Sequence, residues 1–121
     1  MKRKMKKILI VDDNDSNITI LLEILGDDYD ISVALTGEDA LEALEEEVPH
    51  LVLLDIVMEG MSGIEVCEIM RENRRTKKVP ILFVTATNDA FKSITDRIGG
   101  NDLLGKPFKP DILKEKIKAL I

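Results

Sequence analysis

The chain has 121 residues, 45% of them hydrophobic and 33% charged, which is enough apolar material for one core and too little length for two. A formal charge of -6 argues against nucleic acid as a direct partner of the domain as a whole. No stretch approaches the length of a membrane span, the basic opening Met1-Lys-Arg-Lys-Met-Lys-Lys7 has too few apolar residues after it for a signal peptide, and a single cysteine, Cys67, allows no internal disulfide. A membrane is therefore not expected as a partner, and the cytoplasm is the simplest address.

In chain order, Ile8-Leu-Ile-Val11 reads as a buried strand ended by Asp12 and Asp13. Ile18, Leu21, Leu22 and Leu25 follow at helical spacing, with Gly26 as a stop. Ile31 to Leu35 is a second strand, and Thr36 caps a helix whose Leu41, Leu44 and Val48 face the core before Pro49. His50-Leu-Val-Leu-Leu-Asp55 is a third strand closed by an aspartate, and Ser62-Gly-Ile-Glu65 has the form of a capping box opening a third helix. Ile81-Leu-Phe-Val84 is followed by Thr85, a fourth helix runs from about Asn88 to Ile98, and Asn101-Asp-Leu-Leu104 is followed by Lys106. A fifth helix turns Leu113, Ile117 and Leu120 inward.

Strands alternating with helices predict an α/β fold in three layers, a doubly wound parallel sheet with helices on both faces. The strand order 2-1-3-4-5 is a common solution, and it makes strands one and three neighbours, so that Asp12, Asp13 and Asp55 lie side by side at the carboxyl edge where such sheets bind ligands. Two carboxylates about 4 Å apart repel by roughly 4 kcal/mol at an effective dielectric near 20, so three need a cation or protons. Mg2+ suits an all-oxygen site that it can share with a phosphoryl group. Asp55 is then a nucleophile able to form an aspartyl phosphate, with Lys106 neutralising the transferring oxygens and Thr85 donating a hydrogen bond. Any one of these residues alone is more simply a turn former or cap; all five at carboxyl ends of strands is the informative pattern.

The segments Ile10-Val-Asp-Asp-Asn14, Leu51-Val-Leu-Leu-Asp-Ile-Val-Met-Glu-Gly-Met-Ser-Gly63, Phe83-Val-Thr-Ala86 and Gly105-Lys-Pro-Phe108 together resemble the response-regulator receiver domain, the flavodoxin-like module of two-component signalling, over nearly the whole of residues 1–121. The resemblance implies that Asp55 is the phosphoacceptor, that Asp12, Asp13, Asp55 and the backbone carbonyl of Val57 hold Mg2+, and that Thr85 is the switch hydroxyl. It also implies that Lys106 contacts phosphate, that Ala86 leaves room for the phosphoryl group, and that the Lys106-Pro107 bond is cis. Implied partners are a sensor histidine kinase or phosphotransfer protein and an effector domain or downstream protein, with phosphorylation-dependent dimerisation as one output. Such a module is a switch that assists only its own phosphorylation and dephosphorylation. The sequence departs from the family pattern at Leu103, where Tyr or Phe is usual, at Glu59, a common proline, and at His50, a common aspartate. The interval from Thr85 to Lys106 is one residue shorter than usual.

A hydrolase of the haloacid-dehalogenase type also uses an aspartyl phosphate but places an acid/base Asp two residues beyond the nucleophile, where this chain has Val57. A flavin carrier on the same fold needs a phosphate loop rich in Ser, Thr and Gly, against which Asp12-Asp-Asn-Asp15 is repulsive. An inactive receiver conflicts with the complete reactive set. Cys67, between Val66 and Met70, reads as a small core residue, and His50 as a surface or boundary residue.

Overall fold

The computed structural model describes residues 5–86 and 89–121, with only the backbone taken at 89 and 90. The lead-in from Met1 to Lys4, and Thr87 and Asn88, lie outside the described residues. Five strands, β1 (Lys7–Val11), β2 (Asp30–Ala34), β3 (Leu51–Leu54), β4 (Ile81–Thr85) and β5 (Asp102–Gly105), alternate with five helices. These are α1 (Asp15–Leu25), α2 (Gly37–Glu46), α3 (Gly63–Glu72), α4 (Asp89–Ile98) and α5 (Pro110–Leu120). The sheet is parallel throughout and runs in the expected order β2-β1-β3-β4-β5.

Period-two alternation divides the buried strand residues between two cores. Ile8, Ile10, Leu51, Leu53, Leu82 and Val84 meet α1 and α5 through Ile18, Leu21, Leu25, Leu113 and Ile117. Leu9, Val11, Val52, Leu54, Ile81 and Phe83 face the other way, toward Ala40 and Leu44 of α2 and Val66, Cys67 and Met70 of α3. Central strands β1, β3 and β4 are thus buried on both faces, which is why they read as unbroken apolar runs.

The helix starts follow their capping residues. Asn14, Thr36 and Ser62 each accept a hydrogen bond from the backbone N–H three residues on, satisfying a donor that the first helical turn leaves unpaired. One core assignment changes, and another residue reaches the core from outside its expected helix. Leu22 is 39% exposed, because only Ile18, Leu21 and Leu25 lie on the stripe that α1 turns to the sheet. Val48 packs against the core from beyond α2, since the backbone at Glu47 is already extended (φ -153°, ψ 132°).

The end of α4 is held by α3. The Arg71 guanidinium donates to the Gly99 carbonyl at 2.8 Å, to the Thr76 carbonyl at 3.2 Å and to Asn101 Oδ1 at 3.2 Å, and the same Asn101 oxygen accepts the Ile81 N–H at 2.8 Å. Gly99 has φ +100°, a conformation open to glycine, and a β-carbon there would press on the Arg71 side chain. One arginine therefore ties together α3, the exit of α4 and the start of β4.

Candidate functional site

Strand register builds the site. Val11 pairs with Leu54, and the ladder continues one step as the Asp55 N–H donates to the Val11 carbonyl at 3.0 Å, which sets Asp12 and Asp55 beside each other at the carboxyl edge. Asp12 is turned back by an Asx-type bond, its Oδ1 accepting the Asn14 N–H at 2.9 Å. Asp13 points outward, and its Oδ2 accepts the Glu59 N–H at 3.1 Å, linking the loops that follow β1 and β3. One carboxylate oxygen from each of Asp12, Asp13 and Asp55 lies within 4.8 Å of the others. Asp12 and Asp55 are buried and Asp13 is exposed, so the cluster opens to solvent on one side.

The other two expected residues converge on the same carboxylates. Thr85, fully buried at the end of β4, donates from Oγ1 to Asp55 Oδ1 at 2.7 Å, and the Val57 N–H donates to that oxygen at 3.3 Å. Lys106 Nζ lies 2.7 Å from Asp12 Oδ2 and 3.2 Å from Asp55 Oδ2, with its side chain only 14% exposed. The Lys106 N–H also donates to the Thr85 carbonyl at 2.8 Å, so β4 and the loop after β5 are fastened together at the site. The Lys106-Pro107 bond is cis, as expected. Three carboxylates against one ammonium leave the cluster negatively charged, and its all-oxygen donors with an open side fit a hard divalent cation such as Mg2+.

Gly63 holds the back of the site. A β-carbon there would sit 1.9 Å from the Asp55 carbonyl oxygen, so only glycine lets α3 begin against the main chain that carries Asp55. Beside the cluster, Lys106, Pro107 and Phe108 face Asn17, Ile20 and Ile24 across a pocket of about 300 Å³. The sequence reading missed the backbone donors of Val57 and Glu59. Their only signal was position in the loop after β3, since backbone groups carry no residue signature.

Five parallel strands in this order, with helices on both faces and an acidic cluster at the carboxyl edge, define a flavodoxin-like fold of the CheY kind. The family model of the response regulator receiver domain matches residues 8–118, and the chain belongs to that family: it is a receiver domain of two-component response regulators. It is 38% identical over 120 residues to the alkaline phosphatase synthesis transcriptional regulatory protein PhoP of Bacillus subtilis, covering 96% of this chain and 48% of that protein. A response-regulator structure from Chloroflexus aurantiacus superposes with a TM-score of 0.93 at 34% identity, covering 97% of this chain and 98% of the other. The chemotaxis protein CheY4 of Vibrio cholerae does so with a TM-score of 0.91 at 28% identity, covering 98% and 100%. The chain spans about half the length of the curated relatives it matches. The hydrolase alternative finds no support in these comparisons, and among the described residues no helix is long and apolar enough to cross a membrane.

Proposed function

We propose that Asp55 accepts a phosphoryl group from a histidine kinase or phosphotransfer protein, and that the resulting aspartyl phosphate changes the affinity of this domain for an effector. The observation that carries this reading is the convergence of Thr85 and Lys106 on the Asp55 carboxylate, at 2.7 Å and 3.2 Å, next to Asp12 and Asp13. In the transfer, an Asp55 oxygen bonds to phosphorus as the phosphorus–nitrogen bond of the donor phosphohistidine breaks, and the electron pair leaves with the imidazole. Lys106 neutralises charge on the phosphoryl oxygens, and Thr85, released from the bare carboxylate, donates to one of them. Asp12, Asp13, Asp55 and the Val57 carbonyl would hold Mg2+, which when bound supplies further charge stabilisation to those oxygens.

The exposed apolar pocket formed by Ile20, Ile24 and Phe108 beside Lys106 supports docking of a protein donor at this edge. The site chemistry supports a switch rather than a turnover enzyme, and the free Cys67 is consistent with a cytoplasmic setting. Val57, two residues beyond Asp55, is apolar and 65% exposed, so it offers no acid or base for an outside substrate. Intact-mass analysis after acetyl phosphate treatment tests the reading. One Mg2+-dependent phosphoryl group is expected, mapping to Asp55 and absent from Asp55→Asn; full labelling of that variant would overturn the assignment. Size-exclusion chromatography of the same samples reads out phosphorylation-dependent dimerisation.

A further inference from the structure

The opposite pole of the sheet carries the reverse charge. Between residues 71 and 78, five cations stand against one carboxylate, in a chain whose formal charge is -6. Arg74, Arg75, Lys77 and Lys78 are exposed and line a groove of about 530 Å³ at the amino ends of β3 and β4, together with His50. Among the described residues none of the four basic side chains has a carboxylate partner, and the nearby Glu47 is engaged by Lys7.

The groove is built on a fixed turn. Asn73 Oδ1 accepts the Arg75 N–H at 2.9 Å, its carbonyl accepts the N–H groups of Thr76 and Lys77, and buried Thr76 donates from its hydroxyl to Met70. Arg75 is braced across to α2 by a 2.8 Å bond to the Glu45 carbonyl. His50 accepts the Lys7 N–H on Nδ1 at 2.9 Å, so the neutral ring carries its proton on Nε2 and offers a further donor. Pro49 and Pro80 add apolar surface between the cations.

We infer that this groove binds a short acidic peptide segment of a partner protein, one that alternates carboxylates with apolar side chains. Arginine forks and lysines fit carboxylates, and the prolines give an apolar residue between them somewhere to lie. A long polyanion fits less well, because beyond the groove it would run over the exposed Glu45 and Glu46 of α2. Four-residue strand β3 separates this pole from the acidic cluster, a span of roughly 13 Å. The groove and the acidic cluster share no residue, so the groove serves as a constitutive tether whose occupancy is expected not to follow the state of Asp55.

The test is fluorescence anisotropy with a labelled peptide of alternating glutamate and leucine. Saturable binding is expected, weakened about tenfold by Arg74→Gln combined with Lys78→Gln and unchanged by Lys114→Gln combined with Lys118→Gln on the exposed face of α5. Beryllofluoride should leave the affinity unchanged. All these positions are exposed, and urea unfolding of each variant checks that the fold is intact. Equal peptide binding by the Arg74/Lys78 variant, or no binding by the unaltered chain, would overturn the inference. So would tighter binding of duplex DNA than of peptide with the same residue dependence, which would make nucleic acid the occupant.

Discussion

Lys106 lies closer to Asp12 than to Asp55, 2.7 Å against 3.2 Å, so in the bare cluster its ammonium is shared between a metal-type ligand and the proposed phosphoacceptor. A divalent cation at Asp12 and Asp13 would take over that neutralisation and leave Lys106 free for phosphoryl oxygens. Removing one partner from a buried charge pair typically costs about 3 kcal/mol, because the remaining charges stay desolvated. Lys106→Met should therefore lose about that much stability in metal-free buffer and regain most of it with Mg2+, whereas the unaltered chain gains less. Urea unfolding with and without Mg2+ measures this; an equal Mg2+ response in both proteins would contradict the sharing.

The phosphorylated form should be long lived. Hydrolysis in line with the bond to Asp55 needs a positioned water, and Val57 presents only an exposed apolar side chain there. The second flanking position, Thr87, lies outside the described residues. Val57→Asn should release phosphate several-fold faster, as followed by loss of the modified mass over time. An unchanged or slower rate would rule out this account.

Leu103 pairs with Phe83 and packs partly buried in the α2–α3 core, where it has neither ring nor hydroxyl to follow a movement of Thr85. The response to a beryllofluoride phosphate mimic should accordingly appear as altered amide hydrogen exchange between residues 86 and 99. Changes confined to the surroundings of Leu103 would count against it.

Burial alone would lift the Asp102 carboxyl, yet the Lys116 ammonium 2.8 Å away and the Leu103 N–H hold it below the ordinary carboxylate range. A depressed folded value means stability that is present above the unfolded value of about 3.9 and lost as pH falls through the folded one. The pair is partly exposed, so solvent screening keeps its contribution under about 1 kcal/mol. Asp102→Asn should be slightly less stable at neutral pH, with the gap closing in acid. A gap that stayed constant down to the acid transition would show that the Lys116 pairing is not its source.

Much of this architecture was legible in the residues. Apolar runs ended by Asp12, Asp55 and Thr85 marked buried strands because central parallel strands are covered on both faces, and a residue just past such a run must lie at the sheet's carboxyl edge. Leu22 misled because helical spacing marks a band wider than the stripe that touches a sheet. Arg71 was illegible for a different reason. Nothing in its local sequence marks it, and only folding brings the carbonyls of Thr76 and Gly99 around it.

That arginine also sets the kind of motion open to α4. Its carboxyl end is pinned at Gly99 to α3 and, through Asn101, to β4, while its amino end follows directly on the segment after Thr85. A ten-residue helix is about 15 Å long. A pull delivered near Thr85 would therefore act on the end of α4 remote from the Arg71 anchor. Were the segment after Thr85 drawn toward Asp55, the Arg71 anchor would favour rotation of α4 about its carboxyl end over translation.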